Sequence, residues 1–489
     1  MNFRVTTFLF ALLLATLWLF GLMIAHKKTA GDAAAMLPSL SAADAKVDKI
    51  QVKRTTKTKE GATKEEEHNF VQIGDQWFYK QGEKKVRVEG FRIDSIIRQL
   101  KEARSDETAD VSRSADYYGM TNPEMVVTLT GKHREETKEW TLTMGKQSPD
   151  TLIAYVTSSE KSDRVYAIPA KHVEPLLFKD PQHFRSKRVF DTVETAVSVV
   201  QINRGAADLE VRKSDEGNIW SFVKPPLGPV GFESEAPEEK KDPFHKIPPK
   251  KSAPGGVKGL LTSILEVRVE EDEDFEPFGN RTLADYGLAP GKESMKIDLG
   301  SLEKKALNTE TLYIGEKVRN RTGEFYYAKL ASDDGVMQIN AKWLEPLQRA
   351  VEEPGKLRSL DVAVFDESKV DVIVINQGKT EYKFYRAAPA KEKLLPFEME
   401  PEWQLAIGGK LEKVGGQAVL SLLQLIQGKK AISEFHDIAE ADLKKREAEL
   451  GLDAPAAEIA VYVGGIDRDA KPKEEKKEDD PKKDQPKKD

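Results

Sequence analysis

The chain contains no cysteine among its 489 residues. This absence excludes disulfide bonds, thiolate catalysis, zinc sites built on cysteine and a lipid-modified cysteine anchor. It leaves the cellular compartment open. The chain also has no excess of positive charge, because 82 acidic residues outnumber 76 basic ones and the net charge is −6. No overall basic field is therefore available to attract nucleic acid.

Motifs for catalysis and cofactor binding are also missing. The sequence has no HExxH, GxSxG, phosphate loop or GxGxxG, and no two of its seven histidines have the i, i+4 spacing of a helical metal site. The acidic run Glu270–Glu276 could hold calcium loosely, but it lacks the glycine-bearing loop of a dedicated site, so we interpret it as a solvated charged face. We expect no catalytic residues, no cofactor and no metal ligands, and we predict that the protein is not an enzyme.

Long hydrophobic runs are absent except at the N-terminus. Val5–Ala25 is a stretch of 21 residues without a charge, which spans about 30 Å as a helix and matches the hydrocarbon core of a bilayer. Cleaved signal peptides usually have a shorter apolar region, of about 7–15 residues. The stretch therefore favours an uncleaved transmembrane signal-anchor, with cleavage near residues 33–35 as the alternative. We expect a single-pass protein of a bacterial inner membrane with its soluble part outside the cytoplasm.

One pattern recurs along the rest of the chain, at spacings of 168 and 164 residues. The three copies are Tyr118-Gly119-Met120 with Pro123, Tyr286-Gly287-Leu288 with Pro290, and Leu450-Gly451-Leu452 with Pro455. A period this long indicates tandem domains. Glycine just past a helix, an apolar residue that folds back and a nearby proline are typical of a helix end. We therefore favour a structural role over a ligand loop, which would place its glycines before a helix.

Three tryptophans share one place in the repeat. Trp77, Trp220 and Trp403 each stand in a strand ahead of the helix of a module, and we predict that they are core anchors. The alternative is that these rings are exposed for a partner or a glycan. Trp343 replaces His172 at the matching position of the second repeat, and this exchange argues against a catalytic role for either residue.

The repeat defines the domain organisation. We predict a transmembrane signal-anchor (1–26), a flexible stalk (27–45), repeat module one (46–191), repeat module two (192–366) with a disordered proline-rich charged insertion (224–256), a partial module three (367–465) and a disordered charged tail (466–489). The fold class is α+β, with tandem modules of mostly antiparallel sheet, one or two packing helices in each, and a single transmembrane helix before them. Module three reaches the glycine signal and one further strand, so it leaves a sheet edge unpaired.

Several segments in this order resemble the domain-of-unknown-function 4340 family. They are the N-terminal FLFALLLATLWLF, the tryptophan strands GDQWFYK and GNIWSFVKP, the glycine signals DYYGMTNP, LADYGLAP and ELGLDAP, and the strand ends TLTMG and TLYIG. Members are often encoded beside ABC-type export systems that resemble gliding-motility transporters. The resemblance thus implies an extracytoplasmic accessory subunit, and it supplies no catalytic residues.

These observations lead to three hypotheses of function. The first is a non-enzymatic, membrane-anchored accessory or scaffold protein whose partners are the membrane and an ABC-type permease or another envelope protein. The second is an envelope module that binds glycan or peptide through exposed aromatics such as Trp343, Tyr326 and Tyr327. The third is an enzyme with an unfamiliar site, which would need polar residues with shifted pKa values in one pocket. We favour the first, with no nucleic acid and no identifiable small-molecule substrate.

Overall fold

A computed structural model of the chain describes residues 34–57, 63–106, 111–178, 180–214, 219–232, 255–279, 281–303, 306–319, 321–386, 403–438 and 442–464. The predicted membrane span Val5–Ala25, the tail 466–489 and most of the insertion lie outside these residues. Within the described ranges no helix is both long and apolar enough to cross a membrane. The fold is α+β, with antiparallel sheets and few helices.

The first sheet has eight strands in the order β4-β3-β2-β1-β5-β6-β7-β8. The strands are β1 (Lys46–Lys57), β2 (Thr63–Ile73), β3 (Gln76–Gln81), β4 (Lys84–Val88), β5 (Met125–His133), β6 (Glu136–Gln147), β7 (Ile153–Ser158) and β8 (Lys161–Pro169). Helix α1 (Gly90–Glu102) buries Ile93, Ile96 and Leu100 in the core that this sheet lines. Its apolar residues recur at helical spacing, which is why one face of the helix is buried.

The second and third sheets repeat this plan. The second has the order β11-β10-β9-β12-β13-β14-β15, and the third has the order β19-β18-β17-β16-β20. The strands of the second are β9 (Val197–Arg204), β10 (Ala207–Lys213), β11 (Trp220–Lys224), β12 (Met295–Glu303), β13 (Ala306–Lys317), β14 (Phe325–Leu330) and β15 (Met337–Asn340), with helices α2 (Gly256–Leu265) and α3 (Ala341–Glu352). The third comprises β16 (Val370–Gln377), β17 (Thr380–Arg386), β18 (Trp403–Ile407), β19 (Lys410–Val414) and β20 (Glu458–Val463), with helices α4 (Gly416–Gln427) and α5 (Leu443–Glu449).

Contacts divide the chain into two compact units. The first consists of the residues up to Val197 together with 202–206 and 263–345, so it holds module one and strands β12–β15. The second consists of 198–201, 207–262 and the residues from Pro346 onward, so it holds the β10–β11 hairpin and module three.

The registers show which strands of modules one and three are equivalent. The pairing of β1 with β5 shifts between Val47 and Lys49, and the pairing of β16 with β20 shifts at the matching place, between Val370 and Val372. After the shift Ile50 pairs with Leu129, and Ile373 pairs with Val461. Strand β20 therefore corresponds to β5, and Val461 corresponds to Leu129. In module two, Met295, Ile297 and Leu299 alternate in the same way as Met125, Val127 and Leu129. Strand β12 therefore corresponds to β5, and Leu299 corresponds to Leu129.

The three glycine signals have the predicted backbone geometry. Gly119, Gly287 and Gly451 have φ values of +81°, +67° and +71°. The next residue donates from its backbone N–H to a carbonyl five residues back, as a Schellman motif requires. These hydrogen bonds join Met120 to Ala115, Leu288 to Leu283 and Leu452 to Glu447. The segment before the glycine is an α-helix in module three, a 3-10 helix in module two and hydrogen-bonded turns in module one.

The end of each complete module is joined to neighbouring segments by a repeated set of backbone hydrogen bonds. Glu89 N donates to Phe184 O over 2.8 Å, and Gly231 N donates to Leu357 O over 2.9 Å. Three residues further along, Lys187 O accepts from Val269 N and Leu360 O accepts from Ile432 N, both over 2.9 Å. Between these bonds an arginine stacks on an aromatic ring, with Arg185 at 4.1 Å from Phe275 and Arg358 at 3.6 Å from Phe435.

Two predictions about irregular segments were wrong. The described part of the predicted stalk is folded, because Met36, Leu37 and Leu40 are fully buried in the core of module one and Met36 N donates to Ala103 O. The start of the predicted insertion is also folded, because Val230 is buried and its N–H donates to Trp220 O over 2.8 Å. Both segments consist mostly of small or polar residues, but their few apolar residues are buried in the hydrophobic core.

Candidate interaction surface on the third module

The three repeated tryptophans are core residues, as predicted. Trp77, Trp220 and Trp403 are all buried. Trp403 forms the small core of module three together with Val370, Ile373, Val419 and Leu423. No ring of this set is presented to solvent, so these tryptophans cannot form a glycan platform.

The aromatic residues of the second hypothesis are also covered. Trp343 is buried, its Nε1 donates to Glu270 over 3.3 Å, and the Arg268 guanidinium lies 4.7 Å from its ring. Tyr326 and Tyr327 are half-buried. His172, at the place that Trp343 has in the other repeat, is buried with its Nδ1 at 3.2 Å from Gln99 Oε1. The pair thus shares a packing role.

Acidic side chains of the run Glu270–Glu276 form salt bridges with basic side chains of the protein. The prediction of a solvated charged face was wrong for Asp274, which is buried. Asp274 is buried and lies 2.5 Å from Arg321. The hydrogen bond from Lys342 is the main cause that lowers the pKa of Glu270. Among the described residues no group of three histidine or acidic side chains could hold a metal ion.

A groove of about 760 Å³ in the first unit brings a histidine beside acidic residues. His183 Nδ1 lies 3.1 Å from Asp272, and His183 Nε2 accepts from Arg92. Burial raises the pKa of Asp272, but hydrogen bonds from Lys187 and His183 outweigh it and lower that pKa. Both ring nitrogens of this histidine are thus engaged by side chains of the protein itself.

A second cavity, of about 590 Å³, lies in module three beneath helix α4. Trp403 and Leu423 form its apolar wall, and Gln427 and Arg386 are among its polar residues. Arg386 donates to the main-chain carbonyls of Ser368 and Val370, so its charge is used to fix the segment before β16. Gln427 Nε2 donates to Phe365 O over 3.0 Å. These two donors thus bind the chain itself, whereas Gln427 Oε1 is buried without a hydrogen-bond partner among the described residues.

The feature that distinguishes module three is the outer side of strand β20, which we call the open edge. Strand β20 is the last in its sheet, whereas the equivalent strands β5 and β12 are followed by β6 and β13. Val127 and Leu129 in β5 are completely buried, and so are Ile297 and Leu299 in β12. At the equivalent place Ile459 is 48% exposed. No described strand pairs with the open edge.

In the complete modules, β6 and β13 also contact the segment that precedes the first strand of the sheet. We call it the lead-in segment, which is 36–45 in module one, 190–196 in module two and 365–369 in module three. Trp140 in β6 pairs with Leu129, and its Nε1 donates to Ser39 Oγ over 2.7 Å. Glu310 in β13 pairs with Leu299 and accepts from the backbone N–H groups of Asp191 and Thr192, both over 3.1 Å. The residue opposite the third apolar position of the central strand therefore fixes the lead-in segment in both cases.

The same strands pack against the glycine signals. A Cβ on Gly119 would lie 2.9 Å from the Lys146 side chain of β6, and a Cβ on Gly287 would lie 2.4 Å from Glu316 of β13. At Gly451 no described atom lies within 4 Å of that position. The neighbouring Leu452 is 61% exposed. The open edge thus extends from β20 to the glycine signal of module three.

Helix α4 has an exposed face on the module as well. Counted from the glycine that begins each helix, Leu425 of α4 occupies the place of Gln99 in α1. Gln99 is covered by His172, which follows β8. Leu425 is 78% exposed. In the described part of the chain, the sheet edge and the helix thus lack the cover that the second half of a module provides.

Comparison with known proteins identifies the family. A family model with the description "Domain of unknown function (DUF4340)" matches residues 77–247 and again 251–455. Each match begins within one module and ends in the next, so the family unit is offset from the modules of the fold. No curated protein and no solved structure matches the chain. Because the two matches cover most of the 489 residues, this protein belongs to the DUF4340 family.

Proposed function

We propose that this protein is a non-catalytic accessory subunit, anchored in the bacterial inner membrane, which presents its modules outside the cytoplasm to an ABC-type transport system. The open edge of module three is the observation that carries the proposal. A strand with unpaired backbone groups and exposed apolar side chains binds other chains by pairing. An edge without the strand that covers it in the complete modules is therefore a suitable surface for holding a partner.

Two further observations support the proposal. The sequence begins with an apolar stretch of 21 residues, Val5–Ala25, which is long enough for a membrane anchor. The family resemblance adds the transport system, because genes of the family are often found beside those of ABC-type exporters. The polar clusters at His183 and Arg386 are engaged with the chain itself, so neither of them favours an enzyme.

The glycan-binding alternative has less support. It requires aromatic rings that stand free on a surface, because sugar rings stack on exposed aromatic faces. Trp343 is buried, and Tyr327 lies with its ring 4.9 Å from that of Tyr286 in an edge-to-face contact. Peptide binding, in contrast, is compatible with the open edge, and it is a form of the same interaction.

The experiment is affinity purification of the full-length protein from gently solubilised native membranes, with identification of the proteins that co-purify. We expect stoichiometric recovery of a permease and an ATPase. A variant with Ile459→Asp on the open edge should lose them, and a variant with Leu411→Asp on β19 should keep them, since Leu411 is an exposed apolar residue on the opposite edge of the sheet. Recovery of the protein alone, also after crosslinking, would refute the proposal.

A further inference from the structure

We infer that module three is completed by a β-strand of a partner protein, which pairs antiparallel with β20 at the place that β6 and β13 occupy in modules one and two. This inference deepens the proposed accessory function and rests on it for its biological context. The two complete modules show what covers the equivalent edge. In both, that strand runs antiparallel to the central strand, pairs with every residue of the central strand and continues to the glycine signal.

The duplicated registers predict the chemistry of the missing strand. Opposite Leu129 and the two residues before it, β6 has Trp140-Thr141-Leu142. Opposite Leu299 and the two residues before it, β13 has Glu310-Thr311-Leu312. The first residue of each set hydrogen-bonds with the lead-in segment, and the leucine lies opposite a fully buried residue of the central strand. The partner strand should therefore place a hydrogen-bonding side chain opposite Val461 and a leucine opposite Ile459.

A glycine is the next requirement on the partner strand. Gly145 of β6 and Gly315 of β13 pass so close to the glycine signal that a Cβ would lie 2.1 Å from Tyr118 O and Tyr286 O, respectively. Lys146 N, directly after Gly145, donates to Tyr118 O over 2.8 Å. In module three the equivalent carbonyl belongs to Leu450. The partner strand should thus carry glycine five residues after the hydrogen-bonding side chain, so that its backbone can reach this carbonyl.

The lead-in segment of module three has backbone N–H groups to which the partner strand could supply an acceptor. In module two Glu310 accepts from two successive backbone N–H groups. Among the described residues, the N–H groups of Asp366 and Glu367 have no hydrogen-bond acceptor. An acidic side chain opposite Val461 would supply that acceptor, which makes glutamate the preferred residue at this position of the partner.

Neither the tail of the chain nor a second copy meets these requirements. Residues 466–489 carry nine positive and nine negative side chains and only two apolar residues, so they cannot supply alternating apolar positions. In a symmetric pair of β20 strands centred on Val461, valine would face valine. That arrangement offers no acceptor to the lead-in segment and no glycine to the Leu450 carbonyl. A partner strand satisfies both.

The test uses a peptide of known sequence as a probe for the missing strand. The peptide Ala306–Lys317 (ALNTETLYIGEK) is the chain's own β13. We expect it to bind saturably to the full-length protein in mild detergent, as measured by fluorescence anisotropy. A peptide with Glu310→Lys and one with Gly315→Val should bind at least about tenfold more weakly, because a tenfold loss corresponds to about one good interaction.

Variants of the protein locate the binding site. Ile459→Asp should weaken binding of the peptide at least about tenfold, and Leu411→Asp on the opposite edge should not. Hydrogen exchange should show new protection of the β20 amides when the peptide binds. The inference is overturned if the peptide fails to bind, if it binds equally well to both variants, or if the protein is a dimer whose β20 amides are already protected. The assay contains no transporter, so its failure is distinguishable from failure of the accessory function.

Discussion

At the scale of the residue, the two complete modules share glycines that no other residue can replace. Gly145 and Gly315 stand in corresponding strands, and each passes a tyrosine carbonyl at a distance that leaves no space for a side chain. The neighbouring side chains occupy equivalent positions in the two copies, with Met120 next to Gly145 and Leu288 next to Gly315. The sequence pattern TLTMG and TLYIG marks this contact, although the sequence alone does not reveal its purpose.

We therefore predict that Gly145→Ala destabilises the protein by about 1–3 kcal/mol, the usual cost of an atom placed where there is no space. The free energy of unfolding from denaturant titration measures the effect. Gly355→Ala is the matched control, since no atom lies within 4 Å of a Cβ at that position. Equal stability of the two variants would contradict the close contact at Gly145.

A second prediction concerns pH and His68 in strand β2. Burial is the main cause that lowers the pKa of His68, whose Nδ1 lies 3.2 Å from the Tyr79 hydroxyl. Burial also raises the pKa of Tyr79 to about 12, so this hydroxyl stays neutral. Between the lowered pKa of the folded state and about 6.5, the usual value, the unfolded state binds more protons at this histidine than the folded state does.

Stability contributed by His68 is thus present above pH ~6.5 and is lost as the pH falls through this window. We expect the free energy of unfolding to decrease between pH 7.5 and pH 5.5, and to decrease less in a His68→Gln variant. His436→Gln is the control, because His436 is exposed. An identical pH dependence in the His68 variant and the unmodified protein would show that this histidine is not the source.

At the scale of the element, β6 and β13 fix the lead-in segments of their modules through side-chain hydrogen bonds. Glu310 does so in module two by accepting hydrogen bonds from the backbone of Asp191 and Thr192. We predict that Glu310→Leu lowers the free energy of unfolding by about 1–3 kcal/mol, because two N–H groups lose a charged acceptor. Glu310→Gln should cost less, since the amide oxygen still accepts.

Denaturant titration of the two variants measures this difference. Glu316→Gln, at an exposed position of the same strand, provides the baseline for a neutral change. If Glu310→Leu and Glu316→Gln were equally stable, the lead-in segment would be held by its other contacts, and the requirement for an acidic residue on the partner strand would lose its basis.

The central strands, the main helices and the glycine signals could be predicted from the sequence, because alternation and helix-end chemistry are local. The packing of residues 36–45 could not, since it depends on distant partners such as the Ser158 hydroxyl, which donates to Met36 O over 2.6 Å. Similar segments also fold differently. Residues 170–176 of module one form two 3-10 turns, whereas the matching AKWLEPL of module two begins the α-helix α3.

The candidate site could be predicted in part. The sequence predicts that module three lacks a second half and has an unpaired sheet edge, and no strand in the described part of the chain pairs with that edge. The chemistry of the strand that would fit there requires the register, because only the pairing shows that Glu310 and Trp140 stand at the same place and reach the same kind of segment. Local sequence has no information on such pairs.

At the scale of the whole molecule, we predict a membrane anchor with the modules outside the cytoplasm. Because the sequence has no cysteine, a single introduced thiol can test on which side of the membrane the modules lie. Ala206 lies in an exposed turn between β9 and β10, so Ala206→Cys creates a single reactive thiol without changing the core. We expect a membrane-impermeant maleimide to label this variant in intact spheroplasts. Labelling that appears only after lysis would place the modules in the cytoplasm.

The repeated backbone hydrogen bonds at the module ends have a consequence for how such a chain can evolve. Lys187 with Val269, and Leu360 with Ile432, join successive modules through main-chain groups, which every residue except proline can donate and every residue can accept. A newly copied module therefore inherits a working connection even while its side chains diverge. Arrays of this kind can lengthen by gene duplication alone, without inventing a new surface at each step.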